Sequence, residues 1–95
     1  MAGHRLRVPD EVAALIRGLH PSIKKKVRAG LKAILDAPAS GKALKDELAG
    51  LRSYRLGNLR IVYRVAKGRV IELVAVGPRR HIYEETYRRV RGEVP

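Results

Sequence analysis

The sequence contains no cysteine, no tryptophan and no phenylalanine, and only three of its 95 residues are histidine. Without cysteine, a disulfide framework and thiolate chemistry are both excluded. The three histidines, His4, His20 and His81, are far apart along the chain, so we expect neither a metal site nor a cofactor. Because the aromatic residues are limited to four tyrosines, the core must consist mainly of Leu, Ile, Val and Ala.

Long apolar runs are also missing. The longest uninterrupted apolar stretches have about five residues, whereas a membrane-spanning helix needs roughly 20. The first twenty residues contain both acidic and basic side chains, which fits no signal peptide. From these absences we predict a cytoplasmic protein without a membrane segment, and from its length we predict a single domain over residues 1–95.

What the sequence has in excess is positive charge, since 21 Lys and Arg outnumber nine Asp and Glu and give a net charge of +12. Such an excess predicts attraction to a polyanion or to an acidic partner. Residues 1–51 have ten basic residues, six of them Lys, whereas residues 52–95 have eleven, ten of them Arg. Because a guanidinium group can bind two phosphate oxygens at once, we expect phosphate to be bound by the second half. A solvated basic surface without a specific site is the alternative.

Hydrophobic periodicity in the first half predicts one strand and a helical hairpin. Apolar and basic residues alternate from His4 to Val8, as is typical of a short half-buried strand. A short helix is expected from Asp10 to about Gly18 because apolar residues recur there at helical spacing. A second helix is expected from Ser22 to Asp36, with a basic face that consists of Lys24, Lys25, Arg28 and Lys32.

The second half predicts an antiparallel meander and a terminal helix. Three strand-like runs, Leu51–Leu56, Leu59–Ala66 and Arg69–Val76, are separated by Gly57-Asn58 and Lys67-Gly68, which suit tight hairpin turns. Residues 44–50 have a mixed pattern, and we expect a loop or a single turn there. A terminal helix is expected from about Ile82 to Arg91.

The middle strand of the meander has two distinct faces. Alternation places Leu59, Ile61, Tyr63 and Val65 on one side, where they can cover a core. The other side has Arg60, Val62 and Arg64, so we expect it to display guanidinium groups. Tyr54 and Tyr63 are expected mainly in the core.

Two segments of the second half resemble the RelE/ParE toxin superfamily. Residues 50–63, GLRSYRLGNLRIVY, are similar to the family's second and third strands, although Asn58 replaces the usual Asp. Residues 76–83, VGPRRHIY, are similar to the end of its fourth strand. The order β-α-α-β-β-β-α covers essentially the whole chain. The resemblance implies an α+β, RelE-like fold, with an N-terminal strand and helical hairpin packed on a four-stranded, mainly antiparallel sheet and a short C-terminal helix.

The resemblance also implies site residues. In RNA-cleaving members, basic residues on strands two, three and four surround the scissile phosphate, and a tyrosine after strand four stacks on a base or aids proton transfer. The matching residues here are Arg55, Arg60, Arg79 and Tyr83. When a 2′-hydroxyl attacks its own phosphate, negative charge accumulates on oxygens that preorganised guanidinium groups stabilise. Further expected RNA contacts are Lys45, Arg52, Arg64 and Arg80.

The general base is a separate question. Where some RNA-cleaving members have a lysine pair on strand two, this sequence has Arg52 and Arg55, and arginine keeps its proton in proteins. His81 lies two residues before Tyr83, and an imidazole can exchange a proton near neutral pH. His81 is therefore a candidate catalytic residue, and Lys45 and Glu47 are the alternatives.

Each site residue also has a purely structural alternative. Arg60 can pair with Glu72 or with an acidic partner, Arg55 can be an ordinary exposed strand residue, and Tyr83 can cover the core beside Tyr87. The terminal helix is either a docking element for a partner or a simple cover for the sheet.

The resemblance implies the toxin of a type II toxin-antitoxin system. Our main hypothesis is a metal-independent endoribonuclease that cleaves mRNA on the ribosome and inhibits translation, with the ribosome, mRNA and an acidic antitoxin as its partners. The first alternative is a ParE-type toxin that inhibits DNA gyrase without being an enzyme. The second is a plain nucleic-acid-binding module.

Overall fold

Five strands form a single mixed sheet in the computed structural model, which describes residues 3–78 and 82–90. The strands are β1 (Arg5–Arg7), β2 (Lys42–Ala43), β3 (Arg52–Leu56), β4 (Leu59–Ala66) and β5 (Val70–Pro78). Their order in the sheet is β1-β5-β4-β3-β2. Strand β1 is parallel to β5, and the other neighbouring strands are antiparallel. Among the described residues three α-helices accompany the sheet, namely α1 (Asp10–Arg17), α2 (Pro21–Asp36) and α3 (Ile82–Val90).

The α+β class and the predicted element order are confirmed, but the prediction of four strands was wrong by one. The additional strand, β2, has only two residues and pairs with β3 at the edge of the sheet. The segment before it is held by Tyr63, whose hydroxyl donates to the Pro38 carbonyl at 2.6 Å and accepts from the Gly41 amide at 2.9 Å. A two-residue strand is too short to show an alternation of polar and apolar residues, so its sequence does not predict it. Its pairing depends instead on the contacts of this distant tyrosine.

Helices α1 and α2 cover one face of the sheet and form the main core with it. Their buried residues, Val12, Val27 and Ile34, pack against five buried residues of β4 and β5, namely Ile61, Tyr63, Ile71, Leu73 and Val76. The assignment of Tyr63 to the core is confirmed, and Tyr54 packs against the same cluster. Val65 differs from the prediction, because it remains 44% exposed near the end of β4.

Helix α3 lies on the opposite face of the sheet, where a smaller core forms. Ile82 of α3 is buried together with Val62, Leu51 and Ala75. The predicted face of Arg60, Val62 and Arg64 is therefore only partly a display of guanidinium groups, since Val62 is fully buried in this smaller core. As neighbouring residues of a strand point to opposite faces, α3 is separated from α1 and α2 by the sheet.

A β-bulge allows β5 to serve both cores. Val62 pairs with Ala75 whereas Tyr63 pairs with Leu73, so Val74 has no partner on β4. Leu73 belongs to the main core, and both Val74 and Ala75 contact the smaller one. The extra residue thus shifts the alternation of β5 by one position midway along the strand.

None of the described helices has both the length and the apolar character needed to cross a membrane.

Candidate functional site

Arg60 is at the centre of the candidate site, on the face of the sheet that α3 covers. In the register of the sheet it lies between Arg55 of β3 and Gly77 of β5. Gly77 is buried and has no side chain to fill the space beside the guanidinium group. Tyr83 lies in the first turn of α3 and approaches Arg60 from above the sheet.

Ser53 connects Arg60 and Tyr83. Arg60 Nη1 and the Tyr83 hydroxyl each lie 3.3 Å from Ser53 Oγ and donate hydrogen bonds to it. The guanidinium carbon of Arg60 lies 5.9 Å from the centre of the Tyr83 ring, which is within the range of a cation–π contact. These contacts hold both side chains in one arrangement.

Our sequence predictions did not include Ser53, which is only 2% exposed. The sequence feature that could have identified Ser53 is its position in β3, two residues before Arg55. This spacing puts both side chains on one face of the strand.

One donor of Arg60 has no partner in the part of the chain that the structure describes. The Nε atom is buried and forms no hydrogen bond with any described residue. Arg60 also forms no ion pair with a carboxylate in the described part of the chain. An unpaired buried donor is costly, and an oxygen of a bound anion would provide the missing acceptor.

Arg55 adds a second positive charge beside the first. It is exposed and lies directly opposite Arg60 in the β3–β4 register. Like charges in such a pair repel each other, and an anion between them would remove the repulsion. The structure therefore brings together three of the predicted residues, namely Arg55, Arg60 and Tyr83.

Arg64 lies on the same face of β4 but is not part of this group. It is four residues further along the strand, or about 13 Å away. Its guanidinium group forms an ion pair with Glu72, and Glu72 also lies 3.7 Å from Arg7 Nε. Glu72 thus links β1, β5 and β4, and the alternative that it pairs with Arg60 was wrong.

Arg52 lies on the opposite face of the sheet from Arg55 and Arg60. It is paired in register with the core residue Tyr63. Its Nη1 donates to the Gly41 carbonyl at 2.6 Å and to the Ala39 carbonyl at 3.4 Å. The guanidinium group therefore stabilises the segment between α2 and β2, and the structure does not bring it to the candidate site.

The described contacts do not join either alternative for the general base to Arg60 or Tyr83. Lys45 is exposed and precedes a short 3₁₀ turn, Asp46–Leu48, that contacts α3. Glu47 lines a cavity of about 410 Å³, together with Arg64, Glu72 and Val90 at the end of α3. Arg60 and Tyr83 do not line this cavity, and no hydrogen bond or ion pair joins Glu47 to either of them.

Three predicted site residues, Arg79, Arg80 and His81, lie outside the described residues. The described chain ends before them at Pro78, which is paired with Leu59, and resumes at Ile82, one residue before Tyr83. Within the described residues, no three His, Asp or Glu side chains are grouped as a metal site would require.

Comparison with known proteins gives one family and several similar structures. A family model described as the ParE toxin of type II toxin-antitoxin systems matches residues 7–83. The RelBE2 toxin-antitoxin complex of Mycobacterium tuberculosis contains a chain that is 26% identical, with a TM-score of 0.73. That match covers 82% of this chain and 100% of the other.

Two further structures agree in fold. A mutant of the Escherichia coli toxin RelE in its free state has a TM-score of 0.75 at 18% identity and covers 99% of this chain and 100% of its own. The archaeal RelE–RelB complex of Pyrococcus horikoshii has a TM-score of 0.65 at 23% identity, with coverages of 80% and 94%. A search of curated protein sequences found no significant match.

Proposed function

Because this chain belongs to the family of ParE toxins of type II toxin-antitoxin systems, within the RelE/ParE superfamily, we propose that it is a toxin that cleaves mRNA on the ribosome and inhibits translation. The observation that supports this proposal is the arrangement of Arg60. Its guanidinium group is fixed by Ser53 and Tyr83, faces Arg55, and keeps a buried Nε donor that has no partner among the described residues. This is a preorganised position for an anion.

In the proposed reaction the scissile phosphate binds between Arg55 and Arg60. The 2′-hydroxyl oxygen attacks the adjacent phosphorus, and the bond from phosphorus to the 5′-oxygen breaks. The products are a 2′,3′-cyclic phosphate and a 5′-hydroxyl. Charge that builds up on the phosphate oxygens is stabilised by guanidinium donors that need little reorganisation. No metal ion is required in this scheme, because the two arginines supply the positive charge.

Two proton transfers accompany this reaction: the 2′-hydroxyl group loses a proton, and the departing 5′-oxygen takes one from the Tyr83 hydroxyl or from water. We assign the removal of the 2′-hydroxyl proton to His81, which precedes Tyr83 by two residues, because neither Arg55 nor Arg60 can act as a base. Arg79 is the third expected phosphate ligand. Tyr83, which is 37% exposed, offers a ring face on which a base can stack. The ribosome would supply much of the orientation that so small a protein lacks.

The test is cleavage of a defined mRNA on programmed ribosomes, with and without a chelator of transition metals that leaves the ribosomal Mg²⁺ in place. We expect a cut that leaves a 5′-hydroxyl, is indifferent to the chelator and is lost in Arg79→Ala. A matched control is Lys67→Ala, because Lys67 lies in the exposed β4–β5 turn away from Arg60. An intact message after prolonged incubation with the wild-type protein would refute the nuclease proposal.

Inhibition of DNA gyrase without catalysis is a second candidate, because the matching family model is that of ParE toxins. The arginines would then serve recognition alone. A supercoiling assay distinguishes the two candidates. Inhibited supercoiling together with uncut ribosome-bound mRNA would assign this chain to the gyrase-inhibiting class.

We also propose an acidic antitoxin as the protein partner. The similar proteins of M. tuberculosis and P. horikoshii were solved as toxin–antitoxin complexes, and the net charge of +12 favours an acidic segment. Co-expression with the neighbouring open reading frame should give a stable complex. Failure to recover such a complex would count against this partner.

A further inference from the structure

The solvent-facing side of α2 has five basic residues and no acidic residue between them. We call the surface formed by Lys24, Lys25, Lys26, Arg28 and Lys32 the α2 face. Four of these side chains are exposed and Lys24 is half-buried. None of the five forms an ion pair within the described part of the chain. The surface therefore has positive charge that the fold itself does not neutralise.

These charges do not help α2 to form. Lys24, Arg28 and Lys32 follow each other at intervals of four residues, where like charges repel. The helix has no acidic residue in its first turn and no basic residue in its last, and it ends on Asp36, which is the reverse of the arrangement that the helix dipole favours. The buried side of α2 consists of Val27, Gly30 and Ile34 and needs none of these cations.

The α2 face and the candidate site lie on opposite sides of the sheet. At Gly30, α2 packs so closely on the sheet that an added Cβ would lie 3.2 Å from Ile61 Cδ1 and 3.4 Å from Tyr54 Cε2. Both residues belong to the main core, whereas Arg60 and Tyr83 lie on the α3 side. A ligand on the α2 face therefore does not compete with an anion at Arg60.

We propose that the α2 face is a second nucleic-acid contact, which binds the phosphate backbone of double-stranded RNA. Cations four residues apart on a rigid helix are separated by about 6 Å along its axis, so they can contact successive phosphates. Because α2 has no aromatic residue, it offers no platform for unstacked bases, and this favours a duplex over a single strand. The choice of RNA over DNA rests on the proposed function, since the ribosome presents RNA helices.

The experiment measures binding of a labelled RNA duplex, the same RNA as a single strand and the corresponding DNA duplex by fluorescence anisotropy over a range of salt concentrations. The test variant is Lys24→Glu with Lys32→Glu. The matched control, Arg5→Glu with Lys67→Glu, has the same net charge but changes exposed positions on β1 and in the β4–β5 turn. Loss of two phosphate contacts should reduce the slope of log K against log salt by about 1.8. We expect the test variant to lose at least about tenfold more affinity for the RNA duplex than the control does.

Three results would overturn the proposal. Equal losses of affinity in the test and control variants would mean that binding depends on net charge and not on the α2 face. Tighter binding of the single strand would contradict backbone recognition of a duplex, and tighter binding of the DNA duplex would contradict the assignment to RNA. The assay contains no ribosome and no cleavage step, so a failed nuclease proposal and a failed α2 proposal give different results.

Discussion

The two sides of the sheet use positive charge in different ways. On the α3 side, Arg60 is half-buried, fixed by Ser53 and Tyr83, and has an Nε donor that no residue in 3–78 or 82–90 accepts from. On the α2 side, four lysines and one arginine extend from a helix without partners among the described residues. A fixed and half-buried guanidinium group suits the stabilisation of charge at a defined position, whereas exposed ammonium groups suit attraction without defined geometry. Under the two proposals above, affinity and chemistry would belong to separate surfaces.

The largest expected effect is that of Arg60→Met. This change keeps much of the apolar stem and removes all guanidinium donors, so cleavage on programmed ribosomes should fall about 10²- to 10³-fold, as for a lost oxyanion donor. Stability should hardly change, because Arg60 faces another arginine and has no ion pair within the described residues. Thermal denaturation checks this point. A variant that loses stability but retains activity would mean that Arg60 serves the fold rather than the phosphate.

Tyr83 gives the next largest effect and separates stacking from proton transfer. Base stacking is worth about 1 to 3 kcal/mol, so Tyr83→Ala should raise KM for the ribosome-bound message by roughly five- to 150-fold. Tyr83→Phe keeps the ring and loses only the hydroxyl that contacts Ser53. If the phenylalanine variant is as defective as the alanine variant, the hydroxyl and not the ring is the functional group.

Ser53→Ala tests whether the α3 side depends on a fixed geometry. The change removes the acceptor that Arg60 Nη1 and the Tyr83 hydroxyl share. Both hydrogen bonds are long, so we expect a cost near the lower end of the usual range, about 0.5 to 1 kcal/mol, and a twofold to fivefold decrease in kcat. Ser40→Ala, at an exposed serine outside the site, is the control. An unchanged kcat would mean that Arg60 and Tyr83 keep their arrangement without Ser53.

Most of the fold could be predicted from the sequence because its elements have clear periodicity. Helices α1 and α2 lie within about a residue of the predicted bounds, and all four predicted strands are present. Two features could not be predicted. Strand β2 is too short to have a pattern, and the bulge at Val74 is hidden because residues 73–76 are all apolar, so that a shift of one position leaves the pattern unchanged.

The site was less predictable than the fold because arginine is so frequent in the second half. The family resemblance selected Arg55 and Arg60, which the structure brings together, but the list of RNA contacts also included Arg52 and Arg64. The Arg52 guanidinium group donates to two backbone carbonyls and is therefore not available to RNA, and Arg64 is paired with Glu72. Strand alternation separates Arg52 from Arg55, whereas the pairing of Arg64 depends on the register between β4 and β5. Only the three-dimensional structure gives that register.

The smallest expected effect concerns α2, where a substitution should increase the stability of the protein instead of lowering it. Lys24→Glu replaces a repulsive pair with an attractive one, because a glutamate four residues before Arg28 has the favourable orientation. We expect a gain of about 0.2 to 0.5 kcal/mol, or roughly 1 to 3 °C in Tm for a domain of this size. The same variant should bind duplex RNA more weakly at low salt. A more stable protein with weaker binding would mean that the lysine is retained for contact with a polyanion at the expense of the helix. If Lys24→Glu instead lowered Tm, the repulsion inferred for α2 would be wrong. The α2 side would then use its positive charge for stability, and its contrast with the α3 side would be smaller than the charges indicate.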